Sequence, residues 1–261
     1  MFENILYATD FSESPLMMPC IGVIGKTRRI HLLHVISDDT HIDPGLFEPR
    51  MREVKSFLEE QLNQERNRGV EVDVHLMPGV PAREICDVAK KVDASLIALN
   101  YHRQEVPGES SVTDLVKNCD RTLLVMTTMA SDTVDRSGEK FDEYCSNLFR
   151  RVVSTASGDV SSRIQALEAI KKEASLRSVV FSSFSDATLK DAENMAKAAA
   201  VSGIEASATL KKGLPTASIV SASEEADASL ILLDALAELG LALAVVGISP
   251  FPVLILGRRD R

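Results

Sequence analysis

Two periods of hydrophobic and polar positions alternate along the chain. Ile5 to Thr9 is a short apolar run, read as a strand, and a helix with Pro15 near its start follows. Ile30 to Ile36 is a second strand. Met51, Val54, Leu58 and Leu62 recur at helical spacing, and Gly69 ends that helix. Val70, Val72, Val74 and Leu76 alternate with Glu71, Asp73 and His75, the pattern of a half-exposed strand near a sheet edge. Pro81 opens a helix to about Val92, Leu96 to Leu99 is a buried strand, a helix starts at Ser111, and Thr122 to Met126 is a fifth strand. Continuous apolar strands separated by helices predict a parallel sheet covered on both faces, wound by right-handed crossovers.

The pattern then repeats, with strands near Val152, Val179, Ile204, Leu230 and Val253. Gly79-Val80-Pro81-Ala82 is echoed by Gly213-Leu214-Pro215-Thr216, and Asp93-Ala94-Ser95-Leu96-Ile97 by Asp227-Ala228-Ser229-Leu230-Ile231, in one constant register. Ile5 aligns with Val152 at a larger offset, because Ser37 to Pro49 has no counterpart in the second half. The expected organisation is a first domain over 1–127, a polar linker over 128–147 with one helical turn, and a degenerate second domain over 148–261.

A net charge of −9 disfavours a phosphate backbone as a general partner, so nucleic acid is not expected. The start MFENILYATD has no basic stretch before a long apolar core, so no signal peptide is read. Ala235 to Gly247 is the most apolar stretch, and it is too short to span a bilayer. No membrane association is expected. Cys20, Cys86, Cys119 and Cys145 show no C-x-x-C spacing and are read as reduced, buried thiols of a cytoplasmic protein. His31 and His34 stand three apart on a strand, on opposite faces, which is poor metal geometry. No metal site, phosphate-binding Walker loop or G-x-S-x-G motif is found, so no catalytic residue is assigned.

In a doubly wound sheet, ligands bind at the carboxyl ends of strands where the strand order reverses. That directs attention to Asp10, Val35 and the segment from Asn100. Asp10 is placed to accept a hydrogen bond from an adenine amino group, and equally to act as a turn or cap residue. The backbone at Val35 can flank a base, and Val35 is also a plain core position. Ser110-Ser111-Val112-Thr113-Asp114 reads as a helix start, either a capping box or a phosphate cradle built on free N–H groups and the positive end of the helix dipole.

Asn4-Ile5-Leu6-Tyr7-Ala8-Thr9-Asp10-Phe11-Ser12-Glu13 resembles the opening strand and turn of the universal stress protein family. His31-Leu32-Leu33-His34-Val35, Gly79-Val80-Pro81-Ala82-Arg83-Glu84-Ile85 and Asp93-Ala94-Ser95-Leu96-Ile97 resemble its second strand, third helix and fourth strand. The resemblance implies two doubly wound five-stranded, mainly parallel sheets of the adenine nucleotide alpha hydrolase-like, Rossmann-like type, joined through their last strands as an internal pseudo-dimer. It also implies an adenine nucleotide (ATP, ADP or AMP) in the first domain only, held by Asp10, Val35, Asn100, Arg103, Ser110, Ser111 and Val112.

Nucleotide-binding members carry G-x2-G-x9-G-[ST] after the fourth strand. Here Asn100 and Arg103 stand at the first two glycine positions, and Ser110-Ser111 replaces Gly-Ser. In the second half Ser157 stands at the position of Asp10, and Asp234-Ala235-Leu236-Ala237-Glu238-Leu239 replaces the phosphate loop. Two readings stay open: a non-enzymatic, nucleotide-responsive regulator with unknown protein partners, or a stress-associated scaffold with a degenerate pocket. A homodimer docked through the apolar Ala235–Val246 surface and internal packing of that surface explain it equally well.

Overall fold

The computed structural model describes residues 2–9, 17–22, 27–36, 69–101, 111–127 and 138–258, with single residues 24, 52 and 130. The Ser37–Pro49 insertion and the helix expected around Met51 to Leu62 lie outside them, Arg52 excepted. The first half contains β1 (Asn4–Ala8), α1 (Met17–Gly22), β2 (Arg29–Ile36), β3 (Glu71–Pro78), α2 (Pro81–Lys91), β4 (Leu96–Tyr101), α3 (Ser111–Asn118) and β5 (Thr122–Thr127). After α4 (Gly138–Asn147) come β6 (Arg151–Thr155), α5 (Val160–Ala174), β7 (Ser178–Ser183), α6 (Asp186–Val201), β8 (Glu205–Leu210), α7 (Pro215–Glu225), β9 (Leu230–Asp234), α8 (Leu239–Ile248) and β10 (Val253–Leu256).

The ten strands form one sheet in the order β3-β2-β1-β4-β5-β10-β9-β6-β7-β8. Each half is parallel and doubly wound. The halves meet where β5 and β10 pair antiparallel, Val253 against Val125 and Leu254 against Leu124. The two expected five-stranded sheets are therefore fused edge to edge, and the join removes two strand edges from solvent. The half-exposed strand β3 is indeed an edge.

The repeat is visible in the backbone. Gly79 and Gly213 have φ of 141° and 144°, and Asp93 and Asp227 have φ of 53° and 47°. The glycines adopt at no steric cost a conformation that side chains resist, and aspartate is among the few residues that tolerate the left-handed region. Ser95 donates its N–H to the Asn4 carbonyl as Ser229 does to Arg151, at 2.8 Å in both cases. Each Asp-Ala-Ser run thus ends a helix and registers the next strand beside the first.

Two hydrophobic layers run across both halves. One holds Tyr7, Leu32, Ala98, Leu254 and Leu232 against buried residues of α1, α4, α5 and α6. The other holds Leu6, Leu33, Ile97, Val125 and Ile231 against α2, α3, α7 and α8. The apolar helix α8 buries Ala242, Val245 and Val246, and it touches α3 and β5 of the first half. Among the described residues, no helix is long and apolar enough to cross a membrane.

Two features differ from expectation. The polar connector carries a ten-residue helix, α4, because Phe141, Tyr144 and Cys145 pack onto the core from within a polar sequence. Cys20 and Cys145 are also not free thiols: they form a disulfide with a Cα–Cα separation of 4.4 Å. Two residues 125 apart in sequence give no spacing signal, so the pairing appears only once α4 lies on α1. Cys86 and Cys119 are free and buried.

On β2 and β3, His31 Nδ1 lies 3.0 Å from His75 Nε2. Burial lowers both imidazole pKa values. For His31 the neighbouring His75 and Arg29 lower it further, and for His75 Lys91 does so; Asp73 opposes the shift in both. The unfolded chain therefore takes up these protons first as pH falls. The pair contributes stability above its ordinary value of about 6.5, and that stability is lost as pH drops through the lower folded-state values. The urea midpoint is expected to fall between pH 7 and 5, and less steeply in His75→Leu. Equal slopes in the two proteins would refute this.

Candidate functional site

In the first half the strand order reverses between β1 and β4, so the crevice lies at their carboxyl ends. β1 is the central strand, paired on both sides, and this fixes Ala8 and Thr9 beside β2 and β4. Thr9 donates its N–H to the Leu33 carbonyl at 2.9 Å, and its own carbonyl lies 2.8 Å from His34 Nδ1. β4 alternates at its end. Asn100 turns to the layer of Tyr7, where its Nδ2 donates to Tyr7 Oη at 3.4 Å, and Tyr101 packs in the opposite layer with Val35 and Met77. Asn100 Oδ1 is buried and accepts no hydrogen bond from the described residues.

Of the seven residues expected to hold a ligand, Asp10, Arg103 and Ser110 lie outside the described residues. Ser111 begins α3, an eight-residue helix with Asp114 in its first turn. Val112 is buried in the layer that also receives Val35. The structure thus gathers Val35 and Val112 on one face of the sheet and sets Asn100 on the other.

The equivalent crevice of the second half lies between β6 and β9, and it is filled from within. Ser154 takes the place of Tyr7, and the space is occupied by Arg163 from the first turns of α5. Its guanidinium donates to Ser154 Oγ at 3.0 Å, to the Leu232 carbonyl at 3.3 Å and to the Ser157 carbonyl at 2.7 Å. It is also 3.4 Å from Glu238 Oε2, in an ion pair whose side chains are 1% and 4% exposed. Glu238 accepts further hydrogen bonds from Thr155 Oγ1 at 2.6 Å, from the Asp234 N–H at 3.2 Å and from the Ser157 hydroxyl. Asp234 Oδ1 accepts from the N–H groups of Leu236 and Ala237. A charge pair so buried persists because almost every donor and acceptor has a partner.

Arg163 was missed from the sequence. An arginine four residues after the helix cap Asp159 reads as a solvent-facing position. Glu238 was noted only as part of the Asp234–Leu239 segment that replaces the phosphate loop. A signal was available in Ser154, a small polar residue where the repeat has Tyr7, which leaves a volume for something else to fill.

The universal stress protein family model matches residues 1–127. Those residues belong to the universal stress protein family. The whole chain has the tandem architecture of solved universal stress proteins. A universal stress protein from Archaeoglobus fulgidus DSM 4304 superposes with a TM-score of 0.79 at 19% identity, over 99% of this chain and 97% of that one. A putative universal stress protein from Pseudomonas aeruginosa UCBPP-PA14 gives 0.62 at 14% identity, over 99% and 94%. The cytoplasmic domain of a prokaryotic cation chloride cotransporter gives 0.60 at 13% identity, over 99% and 96%. At these identities the likeness is one of fold. No curated protein sequence matches the chain. The family match ends with β5, the last strand of the first half.

Proposed function

We propose that the chain is a universal-stress-protein-type regulator of the cytoplasm that takes one adenine nucleotide, in its first half. The reading rests on the asymmetry of the two crevices. In the second half Ser157, at the position of Asp10, spends its hydroxyl on Glu238 and its carbonyl on Arg163, so no ligand can use that position. Among the described residues the first half carries no such buried ion pair across its crevice, and the Asn100 Oδ1 acceptor has no partner. In this reading Asp10 accepts from the adenine amino group, the Val35 backbone flanks the base, and the N–H groups at Ser111 and Val112 face the phosphates with Ser110, Asn100 and Arg103 around them. A partner protein then reads the surface that the bound nucleotide completes. In this reading binding and release of the nucleotide are the activity, and no residue among those described is assigned a catalytic role.

One observation favours the scaffold reading. Asn100 carries a side chain where nucleotide-binding members have glycine, and that side chain is engaged with Tyr7. Calorimetric titration with ATP and AMP, with and without Mg²⁺, separates the two. One site per chain is expected, with binding lost in Asp10→Ala and the melting temperature nearly unchanged. No heat at millimolar nucleotide would sink the nucleotide reading and leave the scaffold.

A further inference from the structure

We propose that the free edge of β8 is a self-association site, at which a second copy of this chain adds its own β8 antiparallel and continues the sheet. β8 stands at one end of the strand order, and among the described residues nothing pairs with its outer side. Glu205 donates its N–H to the Arg177 carbonyl at 3.3 Å, and Lys211 donates to the Ser183 carbonyl at 2.8 Å. The odd-numbered positions therefore bond to β7, and Ala206, Ala208 and Leu210 turn their N–H and C=O groups outward. A row of such groups is a template for another strand.

The two edges of the sheet are built differently. β3, at the opposite edge, carries Glu71 and Asp73 and ends at Pro78, which has no N–H to offer. Between Glu205 and Lys211, β8 reads Ala-Ser-Ala-Thr-Leu, with no charge, proline or glycine. Its charges stand only at the two ends and have opposite signs. That arrangement selects both the occupant and the register. In an antiparallel pair centred on Ala208, Glu205 of each copy stands opposite Lys211 of the other. Ala208 then faces Ala208, and Ala206 faces Leu210, so the outward residues form the hydrogen-bonded pairs. The charge pairs fall at non-hydrogen-bonded positions, where side chains approach closest. Lys211 already meets Glu225 of its own chain with its side chain 25% exposed, and the second carboxylate joins that pair. Sliding one strand by two residues loses both charge pairs.

The layers match as well. Ala206 and Ala208 pack on the hydrophobic layer of Val179 and Phe181, beside α6. Residues directly opposite across an antiparallel pair share a face, so that layer runs on into the second copy. The chain joins its own halves in the same way at β5 and β10, where Leu124 and Leu254 of this layer stand opposite each other.

Six residues a side make a small interface, so a dissociation constant in the micromolar range is expected. Sedimentation velocity of the full chain, from micromolar to near-millimolar concentration, is expected to show a monomer–dimer equilibrium. Glu205→Lys and Lys211→Glu each set like charges opposite one another, and each is expected to weaken self-association about 10-fold. Mixed in equal amounts, the two variants restore both charge pairs, and a heterodimer of near wild-type affinity is expected. That recovery also shows that each variant is folded. Amide exchange by NMR reads the register. The N–H groups of Ala206, Ala208 and Leu210 should exchange more slowly as concentration rises, while those of Ser207 and Thr209, bonded to β7 throughout, should not change. A chain that stays monomeric at near-millimolar concentration would overturn the proposal. So would a dimer that both variants leave unchanged, which would place the contact elsewhere, as on the apolar helix α8. Loss in each variant without recovery in the mixture would overturn it too.

Discussion

Glu238→Ala is expected to cost the folded chain about 3–5 kcal/mol, the range for removing one partner of a buried ion pair. The loss is not the worth of the Arg163–Glu238 attraction. It is the cost of leaving a guanidinium that is 1% exposed without its counter-charge, in a space too closed for water to replace it. Thr155 Oγ1 and the Asp234 N–H lose an acceptor at the same time. The double variant Arg163→Met with Glu238→Leu is expected to recover much of the loss, because two apolar side chains of similar volume leave no charge stranded. Recovery should be incomplete, since Thr155 and Ser157 stay without Glu238. Urea denaturation of the three proteins checks this. If the single variant lost less than about 1 kcal/mol, the pair would be behaving like a surface salt bridge and the second crevice would be open to solvent.

Gly257→Ala is the second large effect expected. A Cβ at Gly257 would lie 2.3 Å from the Arg121 carbonyl carbon and 2.5 Å from the Asp120 and Arg121 carbonyl oxygens. These are backbone atoms just before β5, so no rotamer change relieves the overlap. Gly257 also donates its N–H to Thr122 Oγ1 at 3.1 Å, across the join of the two halves. Overpacking of a close-packed site costs about 1–3 kcal/mol and occasionally more. The upper end is expected, because strand β10 must shift against β5 along their shared register. Gly247→Ala is the control. A Cβ there meets nothing within 4 Å, and the residue lies inside α8. Replacing a helical glycine by alanine should stabilise by about 0.5–1 kcal/mol. Thermal melts that moved the same way for both variants would refute the steric account of the join.

The family and the fold were legible because both are written in local patterns. The alternating run from Val70 to Leu76 identified an edge strand, and β3 is one. The repeated Gly-x-Pro and Asp-Ala-Ser runs marked equivalent turns, and their backbone angles agree within a few degrees at Gly79 and Gly213. The linker helix was less legible. Its apolar residues Phe141, Tyr144 and Cys145 make a narrow stripe in a polar stretch, and the stripe gains meaning only when a core is there to receive it. The cysteines were misread in part for the same reason, since a thiol in a helix looks like a small hydrophobe until its partner is known.

The sequence by itself determined the alternation of strands and helices, the duplication, and the loss of the phosphate-loop pattern from the second half. Each of these depends on residues close along the chain, where side-chain period and turn chemistry act directly. The tertiary structure decided the rest: the antiparallel join of β5 to β10, the Cys20–Cys145 bond, and the plugging of the second crevice by Arg163 and Glu238. The sulfurs are 125 positions apart and the ion pair 75. Contacts at such separations are set by the order in which strands lie in the sheet. That order follows from burying two apolar faces at once, a property of the whole chain that no short window of it contains.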